Sequence, residues 1–193
     1  MAKNEQTQPS GEPLSPLDAL KIDLFFWLQA MSTALILLIT LFTLVGRIIG
    51  VEGSSMQPTL HHGDLLLLQS IGYEPRAGDV VVLTKEFDLI TEPIVKRVIA
   101  VGGQQVDIDY AAGTVSVDGR ILEEPYLPEP MYQPGYENLT SVTVPEGSIF
   151  VMGDNRNHST DSRYAGLGTV DKRYVLGRAL YIVLPVSAFG AIR

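Results

Sequence analysis

The stretch "LFFWLQAMSTALILLITLFTLVG" (residues 24–46) carries no charged residue, and only Gln29, Ser32 and three threonines interrupt it. At 1.5 Å rise per residue, about 20 apolar residues span a hydrocarbon core of about 30 Å. A single transmembrane helix is therefore expected over 24–46. Just upstream, Ser15-Pro16-Leu17-Asp18 reads as a helix start, with Ser15 as N-cap and Pro16 in the first helical position. A cleaved leader is the competing reading. It would carry a shorter apolar core, about 7–15 residues, followed by an A-x-A site, and "RIIGVEGSS" (47–55) offers none. Charge does not orient the span, because Lys3 and Lys21 precede it while Arg47 sits at its far edge.

Downstream of Val51 the pattern changes to short β-like runs: "DLLLLQS" (64–70), "DVVVLTK" (79–85), "PIVKRVIAV" (93–101), "GTVSVDG" (113–119), "SIFVMG" (148–153) and "RALYIVLP" (178–185). Turn signals separate them at His62-Gly63-Asp64, Ala77-Gly78-Asp79, Gly102-Gly103 and Asp118-Gly119, the last a two-residue hairpin signal. "EEPYLPEPMYQPGYE" (123–137) is proline-rich and predicts an extended surface loop. No repeat and no strong amphipathic helix follows the span. The expected fold class is mainly β: one N-terminal helix, then bent antiparallel sheets or a partial barrel.

Composition narrows the function. The chain has 22 acidic and 14 basic residues, and 18 of those acids against 11 of those bases lie after position 51. Such a domain lacks the basic stripe that phosphate contacts need, so no nucleic-acid partner is expected. With no cysteine there is no disulfide, no thiolate metal ligand and no cysteine nucleophile. The polar run "MGDNRNHSTDSRYAG" (152–166) fails as a calcium loop, since Ser159 and Ala165 stand where glycine and glutamate are required. No metal or cofactor is expected.

Nucleophilic chemistry is the remaining candidate. "EGSSMQPTL" (52–60) sets Ser54 and Ser55 beside Met56, but a serine hydroxyl needs a neighbouring base. The histidines are His61, His62 and His158, and neither a G-x-S-x-G elbow nor an S-x-x-K pair is present. Lys96 offers another base. In the run 93–101, Ile94, Lys96 and Val98 share one face and Val95, Arg97 and Ile99 the other. If Lys96 points inward it is desolvated and its pKa falls; if it points to water, Arg97 is the buried cation. Spacing leaves both open. Likewise the run 153–163 reads either as a solvated loop, with Asp161 and Arg163 as a surface pair, or as a network in which Ser159 hydrogen-bonds a neutral amine.

Together, "SSMQPTL" (54–60), "GDLLLL" (63–68), "VKRVIAVGG" (95–103) and "GDNRNHSTDSR" (153–163) resemble, in order and behind an N-terminal anchor, the bacterial type I signal peptidases, or leader peptidases, which are Ser/Lys proteases. The resemblance implies Ser55 as nucleophile, Lys96 as general base, Ser159 orienting the lysine, and Asp161 with Arg163 as a supporting pair. It implies cleavage of secretory preproteins after small residues, at A-x-A sites, beside a lipid bilayer. The implied layout is a cytoplasmic segment (1–23), the transmembrane helix (24–46) and an extracytoplasmic β catalytic domain (51–193). Two positions depart from the pattern. Gly53 stands where some members place a serine oxyanion donor, which leaves backbone N–H groups, chiefly that of Ser55. The usual G-x-P-G-[DE] turn is Ala100-Val101-Gly102-Gly103-Gln104. One rival reading is a self-cleaving repressor, against which the apolar span argues. The other is a membrane-tethered, non-catalytic β binding module, which predicts a solvated 153–163 loop and a normally titrating Lys96.

Overall fold

The computed structural model describes residues 15–85, 92–132 and 138–192. Lys3, residues 1–14 of the expected cytoplasmic segment and residues 133–137 of the proline-rich loop fall outside them. The chain divides into two compact units, the first ending at Phe42 and the second covering Thr43–Arg193.

The first unit is built on α1 (Pro16–Val45). It starts where the cap signal places it: the Asp18 N–H donates to Ser15 Oγ at 3.2 Å, and Ser15 Oγ donates to the Asp18 carboxylate at 2.8 Å. Its apolar side chains from Leu24 to Ile39 are exposed. The helix is long and apolar enough to cross a membrane by length and composition. It ends one residue before the predicted span does, because Gly46 already belongs to a strand.

The second unit holds β1 (Gly46–Gly50), β2 (Leu65–Gln69), β3 (Val80–Leu83), β4 (Ile94–Val101), β5 (Gln105–Asp109), β6 (Thr114–Val117), β7 (Arg120–Ile121), β8 (Ser141–Thr143), β9 (Ser148–Met152), β10 (Val170–Asp171), β11 (Val175–Leu184) and β12 (Gly190–Ala191). One sheet runs β1-β2-β11-β3-β4-β9-β10, with β12 beside β11, and a smaller one runs β7-β6-β5-β8. Every pairing is antiparallel. Register shifts in β11 and between β4 and β9 are bulges, which bend the large sheet. The mainly β expectation, with bent antiparallel sheets, holds.

All six predicted runs contain strands. At the Asp118-Gly119 hairpin both residues have positive φ, 51° and 76°, and Val117 pairs with Arg120 across them. The centre of the large sheet is buried on both faces. Val80 and Val82 pack with Met56, Leu60, Leu66 and Leu68, whereas Val81 and Leu83 pack with Val98, Ile149 and Val151. Continuous apolar runs such as "VVVL" suit this position better than alternating ones. The described part of the proline-rich segment is less superficial than predicted, since Met131 is only 1% exposed and joins the core of the smaller sheet.

Candidate active site

The segment 51–64 folds back on itself. Val51 N–H donates to the Asp64 carbonyl at 2.8 Å, and Gly63 N–H donates to the Val51 carbonyl at 2.9 Å. Within it, Leu60 N–H bonds the Met56 carbonyl at 2.9 Å, and Met56 and Leu60 are buried in the apolar cluster. These two anchors fix the turn that carries Ser55, which precedes them and remains partly exposed. Gly53, with φ at 81°, donates its N–H to His62 Nδ1 at 3.3 Å.

Lys96 reaches this turn from β4. It is 3% exposed, and its Nζ lies 2.7 Å from Ser55 Oγ. Of the two orientations open to Lys96, the inward one is observed. Arg97 is also buried, at 2%, so β4 hides a cation on each face, a case the alternation argument does not provide for. Burial pushes the Lys96 ammonium down to about 8; the carboxylates of Asp161 and Asp154 oppose the shift and the Arg163 guanidinium adds to it.

The run 153–163 is not a solvated loop. Asp154, Asp161 and Arg163 are each 0% exposed. Arg163 Nε and Nη2 donate to the two Asp161 oxygens at 2.8 and 2.9 Å, and Nη2 also donates to the Arg156 carbonyl at 2.6 Å. Burial works to raise the Asp161 carboxyl, yet its contacts with Arg163, the Gly153 N–H and the Ser159 hydroxyl outweigh burial and hold it below the ordinary range. Ser159 is thus placed in this network, against the Asp161 carboxylate. Lys96 meets Ser55 through one hydrogen bond, and the buried Ser159, Asp161 and Arg163 network joins the Ser55 turn through Gly153 and Asn155.

That link is sterically demanding. A Cβ on Gly153 would fall 2.5 Å from the Ser55 carbonyl oxygen and directly against the Ser159 hydroxyl, so only glycine fits there. The next residues grip the nucleophile turn: Asn155 N–H donates to the Ser55 carbonyl at 3.0 Å, and Asn155 Nδ2 donates to the Ser54 carbonyl at 3.2 Å. Asp154 takes a bidentate bond from Arg97. Arg156 donates to the Gly153 carbonyl at 3.0 Å and forms a buried pair with Glu124. No role is expected from the sequence for Gly153, Asp154, Asn155 or Arg156, and Arg97 is expected to be buried only if Lys96 faces water. Their only sequence signal is that the motifs contain them. Among the described residues no group of three or more His, Cys, Asp or Glu is arranged to hold a metal ion.

Comparisons with known proteins agree on one family. The family model for signal peptidase, peptidase S26, matches residues 24–184. A probable signal peptidase I-1 of Synechocystis sp. is 37% identical over 172 residues, covering 84% of this chain and 83% of its own. A signal peptidase I of Bacillus licheniformis is 35% identical over 176 residues, covering 86% of this chain and 92% of its own. A crystal structure of a signal peptidase I from Enterococcus faecalis V583 aligns over 55% of this chain and 97% of its own, at 31% identity and a TM-score of 0.45. With a family model matched across most of its length, the chain belongs to the signal peptidase family, peptidase S26, and is a hydrolase of the signal peptidase I type.

Proposed function

We propose that the protein removes signal peptides from secretory preproteins with Ser55 as nucleophile and Lys96 as general base. The observation that carries this is the 2.7 Å approach of Lys96 Nζ to Ser55 Oγ at a position 3% exposed. As an ammonium, Lys96 donates to Ser55. Once deprotonated, it presents a lone pair and the Ser55 O–H donates to it, which is the geometry general-base catalysis needs. A lysine lowered to about 8 loses its proton readily near neutral pH.

In the reaction, Ser55 Oγ attacks the scissile carbonyl while its proton passes to Lys96. The backbone N–H of Ser55 faces the developing oxyanion, Gly53 offering no side-chain donor. Lys96 then gives the proton to the departing amine of the mature protein, leaving an ester on Ser55. Water, deprotonated by the same amine, hydrolyses that ester and frees the signal peptide. Selection of small residues at −1 and −3 would come from shallow apolar pockets beside the strand runs 64–68 and 79–83, with the substrate laid down as an added strand.

Placement supports the same reading. Ser55 lies nine positions beyond Gly46, so an extended chain keeps it within about 30 Å of the end of the apolar segment. A signal peptide is cut just past its own apolar core, at a comparable depth. The proposed topology is a cytoplasmic N-terminus, one transmembrane helix and the β unit outside the membrane.

The test uses the intact chain in detergent and a synthetic signal peptide with Ala at −3 and −1, the cut being mapped by mass spectrometry. Cleavage after the −1 residue is expected, and Ser55→Ala and Lys96→Ala should each lower kcat by about 10⁴-fold or more. Full activity of Lys96→Ala would overturn the mechanism.

A further inference from the structure

We infer that the proline-rich segment braces the active site, with Glu124 as a positioning residue that acts on Gly153 through Arg156. This rests on the Ser55–Lys96 reading above. Gly153 is the corner where the turn carrying Ser55 meets the network of Ser159 and Asp161. Both of its backbone polar groups are tied. The N–H donates to Asp161 Oδ2 at 3.0 Å, and the carbonyl accepts from Arg156 Nε at 3.0 Å. The remaining nitrogens of Arg156 go to Glu124, Nη1 donating to Oε2 at 3.0 Å and Nη2 to Oε1. Turning the Gly153 carbonyl therefore means pulling Arg156 off Glu124, in a pair whose side chains are 1% and 6% exposed.

The segment is itself held still. Leu122 at its start and buried Met131 near its end both pack in the core of the smaller sheet. Between these anchors Pro125, Pro128 and Pro130 each fix φ, which leaves fewer ways to move than an ordinary loop has. The Tyr126 O–H donates to Glu124 Oε1 at 2.8 Å and steadies the carboxylate. A second tie lies one residue past Arg156. Asn157 Nδ2 donates to Glu129 Oε1 at 2.8 Å and to the Pro130 carbonyl at 3.0 Å, and the Tyr132 N–H donates to Asn157 Oδ1 at 2.8 Å. The segment thus grips residues 156 and 157, and the adjoining Asn155 N–H holds the Ser55 carbonyl.

A pair that only stabilises the fold would cost stability when broken and leave the turnover of the folded enzyme alone. A brace acts on placement. Loosened, it lets the Gly153 corner shift against Ser55 and Ser159, so kcat falls while KM holds, a loss of alignment rather than of binding. The charges that act on Lys96 are those of Asp161, Arg163 and Asp154. Removing Glu124 therefore leaves the alkaline-rising limb of kcat where it is.

The experiment measures kcat, KM and the pH profile of kcat on the synthetic signal peptide for four full-length forms, namely wild type, Glu124→Ala, Glu124→Gln and Asn157→Ala, with folding checked by circular dichroism. Glu124→Ala should lower kcat about tenfold or more with KM nearly unchanged, since small displacements of reacting groups are costly. Glu124→Gln keeps an acceptor for Arg156 and should recover much of the loss. Asn157→Ala, which cuts the second tie, should lower kcat about threefold. The pH limb should stay in place throughout. Wild-type kcat in a folded Glu124→Ala overturns the inference, and so does a shifted limb, which would make the effect one of charge on Lys96. Should Glu124→Ala not fold, Asn157→Ala decides, and wild-type kcat there overturns the brace. An active Lys96→Ala would instead indict the Ser/Lys reading itself, while an inactive Lys96→Ala beside an unaffected Glu124→Ala would reject the brace only.

Discussion

Lys96 and Arg97 are consecutive, equally buried and on opposite faces of one strand, yet their surroundings treat charge in opposite ways. Around Arg97 the protein supplies a bidentate carboxylate, a backbone carbonyl and an aromatic face. The bidentate pair with Asp154 offsets the desolvation of this guanidinium. Around Lys96 the hydrogen-bonded partner is a neutral hydroxyl, and the carboxylates act through space. Burial then prevails and the amine is lowered to about 8. Burial lowers the amine whose bonded partner is a neutral hydroxyl, while a bidentate carboxylate offsets the burial of its neighbour. The Arg163 region repeats the first arrangement, with Asp161 as its carboxylate.

The sharpest way to break this contrast is to remove a carboxylate from a paired cation. Asp161→Ala leaves Arg163 buried and uncompensated, and should destabilise the β unit by about 3–5 kcal/mol, read as a lower unfolding midpoint in denaturant. A loss under about 1 kcal/mol would mean the pair is no different from a surface bridge.

The unpaired cation should behave in reverse. Its folded-state value, about 8, lies below the ordinary 10.5, so between those pH values the unfolded chain binds more protons than the folded one. Wild-type stability should therefore rise with pH across that window. Lys96→Met, which has no charge to bury, should be more stable than wild type at pH 7 by about 3 kcal/mol, the gap closing toward pH 10.5. Equal stabilities at pH 7 would contradict the account. The smallest effect is expected at the exposed Arg173–Asp171 pair, where Arg173→Ala should leave the unfolding midpoint unmoved.

These contrasts also mark how far the sequence is legible. The N-cap at Ser15, the Asp118-Gly119 turn and the apolar strand runs depend on neighbours in the chain, and the structure places them where local chemistry does. β5 lies in none of the predicted runs, although Val106 and Ile108 alternate with Asp107 and Asp109 and pack in the core. For the site, the ordered motifs point to Ser55, Lys96, Ser159, Asp161 and Arg163. Period-two alternation leaves the choice between Lys96 and Arg97 open, because it assumes one wet face and β4 has none over its central residues. The partners of Asp154 are beyond any local rule: it meets Arg97 across 57 positions and Thr59 across 95. The Arg156–Glu124 pair spans 32.

The central claim concerns the protonation of one amine. Its most direct measurement is the NMR titration of Lys96 in the full-length chain, labelled at the lysine side chains and assigned against Lys96→Met. The account predicts a midpoint at about 8, well separated from the other lysines. A Lys96 resonance titrating with them, near 10.5, would contradict it.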